Sequence, residues 1–173
     1  KKSPFELCQI SDFGFLRVDA IVQKNGGDLR APMRIKGALF WALEDSKGKN
    51  GHLFLTSEAL QKEALQLLNA KIPIPSLRLH AQEVSDVLED MILHGEVVSV
   101  KGGIYLPRVF AQEDETARRI AMRVVEPPTP EKIEQILEQV KREIGLALSS
   151  KQEAAVYAAY RHNLSIITGS PGT

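Results

Sequence analysis

A single cysteine, Cys8, stands among 173 residues, so no disulfide can form within the chain. The fold must rest on packing, hydrogen bonds and charge, and this cysteine usage fits a reducing compartment, here expected to be the cytoplasm. Aromatic residues make up only 6%, with one tryptophan. Trp41, flanked by Phe40 and Leu43 in a helical pattern, is expected in the core rather than as a base-stacking platform. No apolar run approaches the ~20 residues that a membrane-spanning helix needs. The opening Lys1-Lys2-Ser3-Pro4 lacks a signal-peptide pattern and reads as an artificial boundary. Neither sign of charge is in excess, with 22 Lys+Arg against 22 Asp+Glu. Any nucleic-acid-binding surface therefore has to be local. The histidines His52, His80, His94 and His162 have no metal-ligand spacing, and there is no cysteine pair to help them, so no metal site is expected. Internal repeats and low-complexity segments are absent as well.

What is present is the balance of an ordinary soluble globular protein, 43% apolar and 25% charged, long enough for one to three small domains. Ser3-Pro4-Phe5-Glu6 is a helix-start signature, and that short helix is expected to end near Ile10. A tight turn at Ser11-Asp12-Phe13-Gly14 leads to a second helix from about Phe15 to Lys24, stopped by Asn25-Gly26-Gly27. Two short helices around a glycine-containing turn form a helix-hairpin-helix pattern.

Pro32 opens a third helix, with Ile35, Ala38, Leu39, Ala42 and Leu43 at helical spacing until Lys47-Gly48-Lys49-Asn50-Gly51 breaks it. A short strand at His52 to Leu55, a helix from Ser57 to Leu68, and a helix carrying Val84, Val87, Leu88, Met91 and Ile92 follow. Val97 to Val100 and Ile104 to Leu106 flank Lys101-Gly102-Gly103 as a β-hairpin. The order helix, strand, helix, helix, hairpin is that of a winged helix-turn-helix. A helix from about Glu113 to Val124 comes next, then the linker Glu126-Pro127-Pro128-Thr129-Pro130. Ile133, Ile136, Leu137, Val140 and Ile144 are expected to face inward from the following helix, and Ser149 starts another.

Chemistry concentrates at the end of the chain. Leu164 to Thr168 is a short β-prone run into Gly169-Ser170-Pro171-Gly172-Thr173, the first half of a phosphate loop G-x-x-x-x-G-K-[ST]. Such glycines let backbone N–H groups cradle phosphate oxygens. On its own the loop also fits an ordinary surface turn. One helix earlier, Ser149 and Gln152 have the spacing of a capping box. The same Gln152 amide could present an acceptor and a donor to adenine.

Taken in order, capping glutamine, alanine-rich helix, apolar strand and glycine-rich loop, residues 148–173 resemble the opening of a superfamily 1 DNA helicase motor of the RecD/TraA type. Ile167 to Thr173 matches that family's loop as far as it goes. Ser3-Pro4-Phe5-Glu6-Leu7, Ile10 to Phe15, Val18-Asp19-Ala20-Ile21, Gly51 to Leu55 and Ile104 to Pro107 resemble the N-terminal extension of the RecD-like branch.

This resemblance implies a mainly α fold: a helix-hairpin-helix unit (1–30), a winged-helix-like unit (31–125), a linker and connecting helix (126–148), and the truncated start of a RecA-like α/β motor (149–173). It implies that the parent protein is an ATP-dependent 5′–3′ helicase of DNA repair or recombination, using ATP and Mg2+ on single-stranded or forked DNA. ATP would contact Gln152, Gly169, Ser170, Pro171, Gly172 and Thr173. The residues at hand, lacking the loop's lysine, are expected to be inactive alone, with no catalytic residue and no bound cofactor. Asp12 replaces the family's first hairpin glycine, and its carboxylate would repel a phosphate, which favours packing over DNA contact for the hairpin. Arg17, Lys24, Arg30, Arg34 and Lys36 form the best candidate for a phosphate-tracking patch, with Lys101 at the wing tip as a further candidate. The alternative is a non-enzymatic winged-helix DNA-binding or interaction module.

Overall fold

The computed structural model describes residues 4–5, 14–123, 133–145 and 147–169. They contain seven α-helices and three short strands, in two compact units at residues 1–112 and 113–173.

In the first unit, α1 (Phe15–Lys24) buries Phe15 and Val18 on one face. It ends as its glycines dictate. The Gly27 N–H reaches the Val22 carbonyl and the Gly26 N–H reaches the Gln23 carbonyl, both at 3.0 Å, with Gly26 at φ +75°. α2 (Pro32–Asn50) opens with proline in the first turn, where no N–H is missed. Its stripe Ile35, Ala38, Leu39, Ala42 and Leu43 is buried, as the spacing predicts. The helix runs through Lys47–Asn50 rather than breaking there. Lys47 reaches back to Glu44 and Lys49 to Asp45, and both cations suit a helix C-terminus. Gly51, at φ +70°, then stops it.

β1 (Phe54–Thr56) leads straight into α3 (Ser57–Asn69), which Thr56 caps by accepting the Ala59 N–H at 3.2 Å. After a single tight turn at Pro75–Leu77, α4 (Ala81–Leu93) starts with the Glu83 carboxylate accepting the His80 N–H at 2.9 Å. β2 (Val98–Val100) and β3 (Gly103–Tyr105) close a three-stranded antiparallel sheet in the order β1-β3-β2, with Phe54 opposite Tyr105 and Tyr105 opposite Val98. The two-residue turn between them has Lys101 at φ +50° and Gly102 at φ +81°, the pairing of positive angles that matches strand twist. Leu60, Ala64, Leu68, Val84, Leu88, Met91 and Ile104 fill the space between α2, α3, α4 and the sheet.

α5 (Pro107–Arg123) begins six residues before the expected Glu113. Leu106 is its start: its carbonyl accepts the N–H groups of Val109 at 2.9 Å and Phe110 at 3.0 Å, Pro107 fits the first turn, and Val109 is anchored in the core.

The second unit contains α6 (Ile133–Ile144) and α7 (Ser150–Arg161). Lys141 bridges them through Glu153 at 2.5 Å, and Arg161 meets Glu134 at 3.1 Å. Of the α6 residues expected inward, Leu137 is buried, whereas Ile136, Val140 and Ile144 are exposed. The β-prone run after α7 does not form a strand among the described residues, because a strand exists only through hydrogen bonds to a neighbour, and Ile166 and Ile167 stand exposed. The Glu126–Pro130 linker and the 6–13 stretch, with the short first helix and the hairpin turn at Asp12, lie outside the described residues.

Candidate nucleic-acid interface and nucleotide site

The five basic residues expected to form one phosphate-tracking patch have different fates. Arg34 is 1% exposed. Its guanidinium donates to both Asp19 carboxylate oxygens at 2.6 and 2.9 Å, and to the carbonyls of Leu29 at 2.9 Å and Leu68 at 2.8 Å. It also sits 5.9 Å from the Phe15 ring centroid. With four of its five N–H donors spent on α1, the following turn and α3, and with its guanidinium sealed from solvent, Arg34 is a structural cross-brace out of a phosphate's reach. The assignment of Arg34 to the DNA patch is corrected on this ground.

Lys36 is engaged too. Its ammonium meets Glu96 at 2.6 Å and Asp90 at 3.0 Å. The Glu96 hydrogen bond, then that of Asp90, raises the Lys36 pKa despite an opposing desolvation, and Lys36 in turn holds the Asp90 carboxyl below its ordinary value. Arg30 pairs with Glu83, whose pKa is lowered by that guanidinium first and by the His80 N–H second. Arg17 and Lys24 are exposed on α1, and Lys101 is exposed at the hairpin turn. A phosphate therefore meets Arg17, Lys24 and Lys101 more readily than the residues of α2.

α4 presents a different surface. Gln82, Asp86, Glu89 and Leu93 fall at positions i, i+4, i+7 and i+11, all on its exposed side, and Leu93 is 82% exposed. Two carboxylates on that line would meet a phosphate backbone with repulsion.

Trp41, expected in the core, is half-buried. It packs across Gly14 and lines a cavity of about 270 Å³ with Asp45, Glu63, Gln66, Leu67 and Ala70. Among the described residues no group of three or more His, Cys, Asp or Glu side chains is placed to hold a metal ion, and no helix is long and apolar enough to cross a membrane.

At the nucleotide end, the capping box is present. The Ser149 hydroxyl accepts the Gln152 N–H at 3.4 Å, and the Gln152 Oε1 accepts the Ser149 N–H at 2.8 Å. That leaves a lone pair on Oε1 and the exposed amide donor, so capping and adenine contact are compatible in one side chain. Gly169 is exposed at the end of an irregular segment. Ser170, Pro171, Gly172 and Thr173 lie outside the described residues.

The Asp19–Arg34 pair is the site-shaping feature that sequence reasoning missed. A signal existed. Arg34 shares the inward line of Ala38 and Ala42, and Asp19 shares that of Phe15 and Val22, so two opposite charges stood at core positions of neighbouring helices.

Comparison with known proteins bears on these observations. Residues 1–54 match the family described as the ATP-dependent RecD2 DNA helicase HHH domain. The chain is 27% identical over 177 residues to the ATP-dependent RecD2 DNA helicase of Deinococcus radiodurans, an alignment that covers 100% of this chain and 25% of that protein. The chain thus spans about a quarter of the length of this curated relative. The likeness begins with the helix-hairpin-helix match and extends through both units, and the chain is accordingly similar to the N-terminal region of a RecD-like DNA helicase.

Proposed function

We propose that these residues form the N-terminal region of an ATP-dependent helicase that moves 5′ to 3′ on single-stranded or forked DNA in cytoplasmic repair or recombination. The first unit after Ala31 is read as a winged helix, and residues 149–173 as the opening of a RecA-like motor. The observation that carries the reading is the Ser149–Gln152 reciprocal cap, which presents an exposed amide one helix before Gly169 in a chain whose first 54 residues match a helicase domain. In the parent protein ATP with Mg2+ would supply the free energy for strand movement. Gln152 would hold the adenine edge, and Gly169 to Thr173 would contribute half of the phosphate cradle. DNA contact falls to Arg17, Lys24 and Lys101, with Arg30 and Lys36 tied to carboxylates and the α4 face acidic.

The test separates cap from base reader. In the parent protein Gln152→Glu keeps a residue that can close the capping box but removes the amide donor. It should leave thermal stability near that of the wild type while weakening ATP more than a pyrimidine nucleotide. Equal loss for both nucleotides would overturn the adenine assignment. Measuring unwinding of forked substrates with a 5′ or a 3′ tail tests polarity. A preparation of these 173 residues alone should show no ATP hydrolysis above background, since the loop's lysine and the magnesium ligands are not among them.

A further inference from the structure

The outer face of the small sheet carries an aromatic shelf beside a strained cation. Phe54, Tyr105 and Val98 share one rung and hence one face, opposite the core-facing Leu55 and Ile104. The Phe54 and Tyr105 ring centroids are 5.0 Å apart, and Phe110 meets Tyr105 edge-on at 5.5 Å. Gly103 is the floor of this shelf. A Cβ there would lie 2.8 Å from the Phe54 ring and 3.2 Å from that of Tyr105, so the missing side chain is what lets the two rings close over the strand. Tyr105 is buried, while Phe54 is 44% exposed at the outer end of the stack.

Two residues before Gly103 stands Lys101, the one non-glycine residue with positive φ among those described. Asn or Gly would occupy that position of the turn with less strain. Keeping a lysine there sacrifices stability for an exposed cation two residues from the floor of the shelf, and such a local outlier points to function.

We infer that Phe54 is a stacking platform for a base of single-stranded DNA, with Lys101 holding the adjacent phosphate. An exposed ring with a neighbouring cation fits one unstacked nucleotide of any sequence, because every base has a π-face. Duplex DNA hides those faces, and the carboxylates of α4 repel its backbone from the helix that would otherwise enter a groove. The inference rests on the proposed DNA-helicase role only for the choice of nucleic acid as ligand.

The experiment uses the full chain, a fluorescent oligo(dT), and an oligonucleotide of equal length and charge with abasic sites. Oligo(dT) should bind tighter than the abasic strand. Phe54→Leu, which keeps apolar packing, should weaken oligo(dT) by about five-fold or more, the lower end for one base–aromatic stack, and leave abasic binding unchanged. Lys101→Asn should raise the thermal midpoint while weakening both strands. Photocrosslinking of iodouridine-substituted oligonucleotide to the unmodified chain should label the peptide containing Phe54, a readout that needs no variant to fold. Binding that is indifferent to bases and to Phe54→Leu, with crosslinks elsewhere, would overturn the platform and leave the region's DNA role standing. Absence of any oligonucleotide binding at low salt would overturn both.

Discussion

The two units use the same helical periodicity to different effect. In residues 14–112 the apolar stripes of α1, α2, α3 and α4 face one another and the sheet, and their large side chains are sealed from water. In residues 113–169 the stripes are just as regular, yet among the described residues only Leu137 of α6 is buried, while Ile136, Val140, Ile144, Tyr160 and Ile166 meet solvent. Periodicity therefore marks a face that requires burial, and does not say what buries it. The first unit covers its own faces. The second displays its own, with α6 joined to α7 by the ion pairs Lys141–Glu153 and Arg161–Glu134. The exposed pair of Arg161 with Glu134 contributes little.

The largest test of this contrast is the buried brace. Asp19→Ala leaves the Arg34 guanidinium uncompensated in the core, and should destabilise the first unit by about 3–5 kcal/mol. Trp41, the single tryptophan, lies in that unit, so urea unfolding followed by its fluorescence reads the unit directly. Replacing both partners with apolar residues, Asp19→Leu with Arg34→Met, should recover much of the loss. A next step compares like with like across the units. Leu88→Ala should cost about 2–5 kcal/mol by opening a core cavity. Ile144→Ala, at a residue 63% exposed, should stay within about 0.5 kcal/mol of wild type by circular dichroism. A large cost at Ile144 would show that α6 is covered after all.

Smaller effects follow at caps and charges. Ser149→Ala removes half of the capping box and should cost about 1 kcal/mol, seen as faster amide exchange in 150–161 without change in Trp41 unfolding. The acid side of the first unit's stability should come in part from Glu83 and Asp90. Both have lowered folded-state pKa values, from ordinary values of 4.5 and 3.8, so their contribution is present above those values and fades as pH falls below them. Glu83→Gln should flatten the loss of thermal midpoint between about pH 5 and pH 3, the window set by the ordinary carboxylate range.

Much of this contrast was legible in the sequence, and the failures are instructive. The order from Pro32 to Pro107 followed from apolar spacing and from Pro32, Gly51 and Gly102 as punctuation. The end of α2 did not, because Gly48 reads as a breaker, whereas the pairs Lys47–Glu44 and Lys49–Asp45 carry the helix through it. α5 began early because Pro107 reads equally as a hairpin's end or a helix's first turn. The basic patch dissolved for a different reason. Proximity in sequence says nothing of which carboxylate from another helix arrives, and Arg34, Arg30 and Lys36 were each claimed by one. The Ser149–Gln152 cap was legible because a capping box is local and needs no tertiary partner.

Native-state amide exchange of the full chain tests the contrast most directly, since it reads both units in one sample. Amides of α2, α3, α4 and β3 should be protected to near the global unfolding free energy of the first unit, while those of α6 and α7 exchange through far cheaper local opening. Protection of α6 and α7 equal to that of α2 would contradict the account, because it would mean that their exposed apolar faces are not what limits their stability.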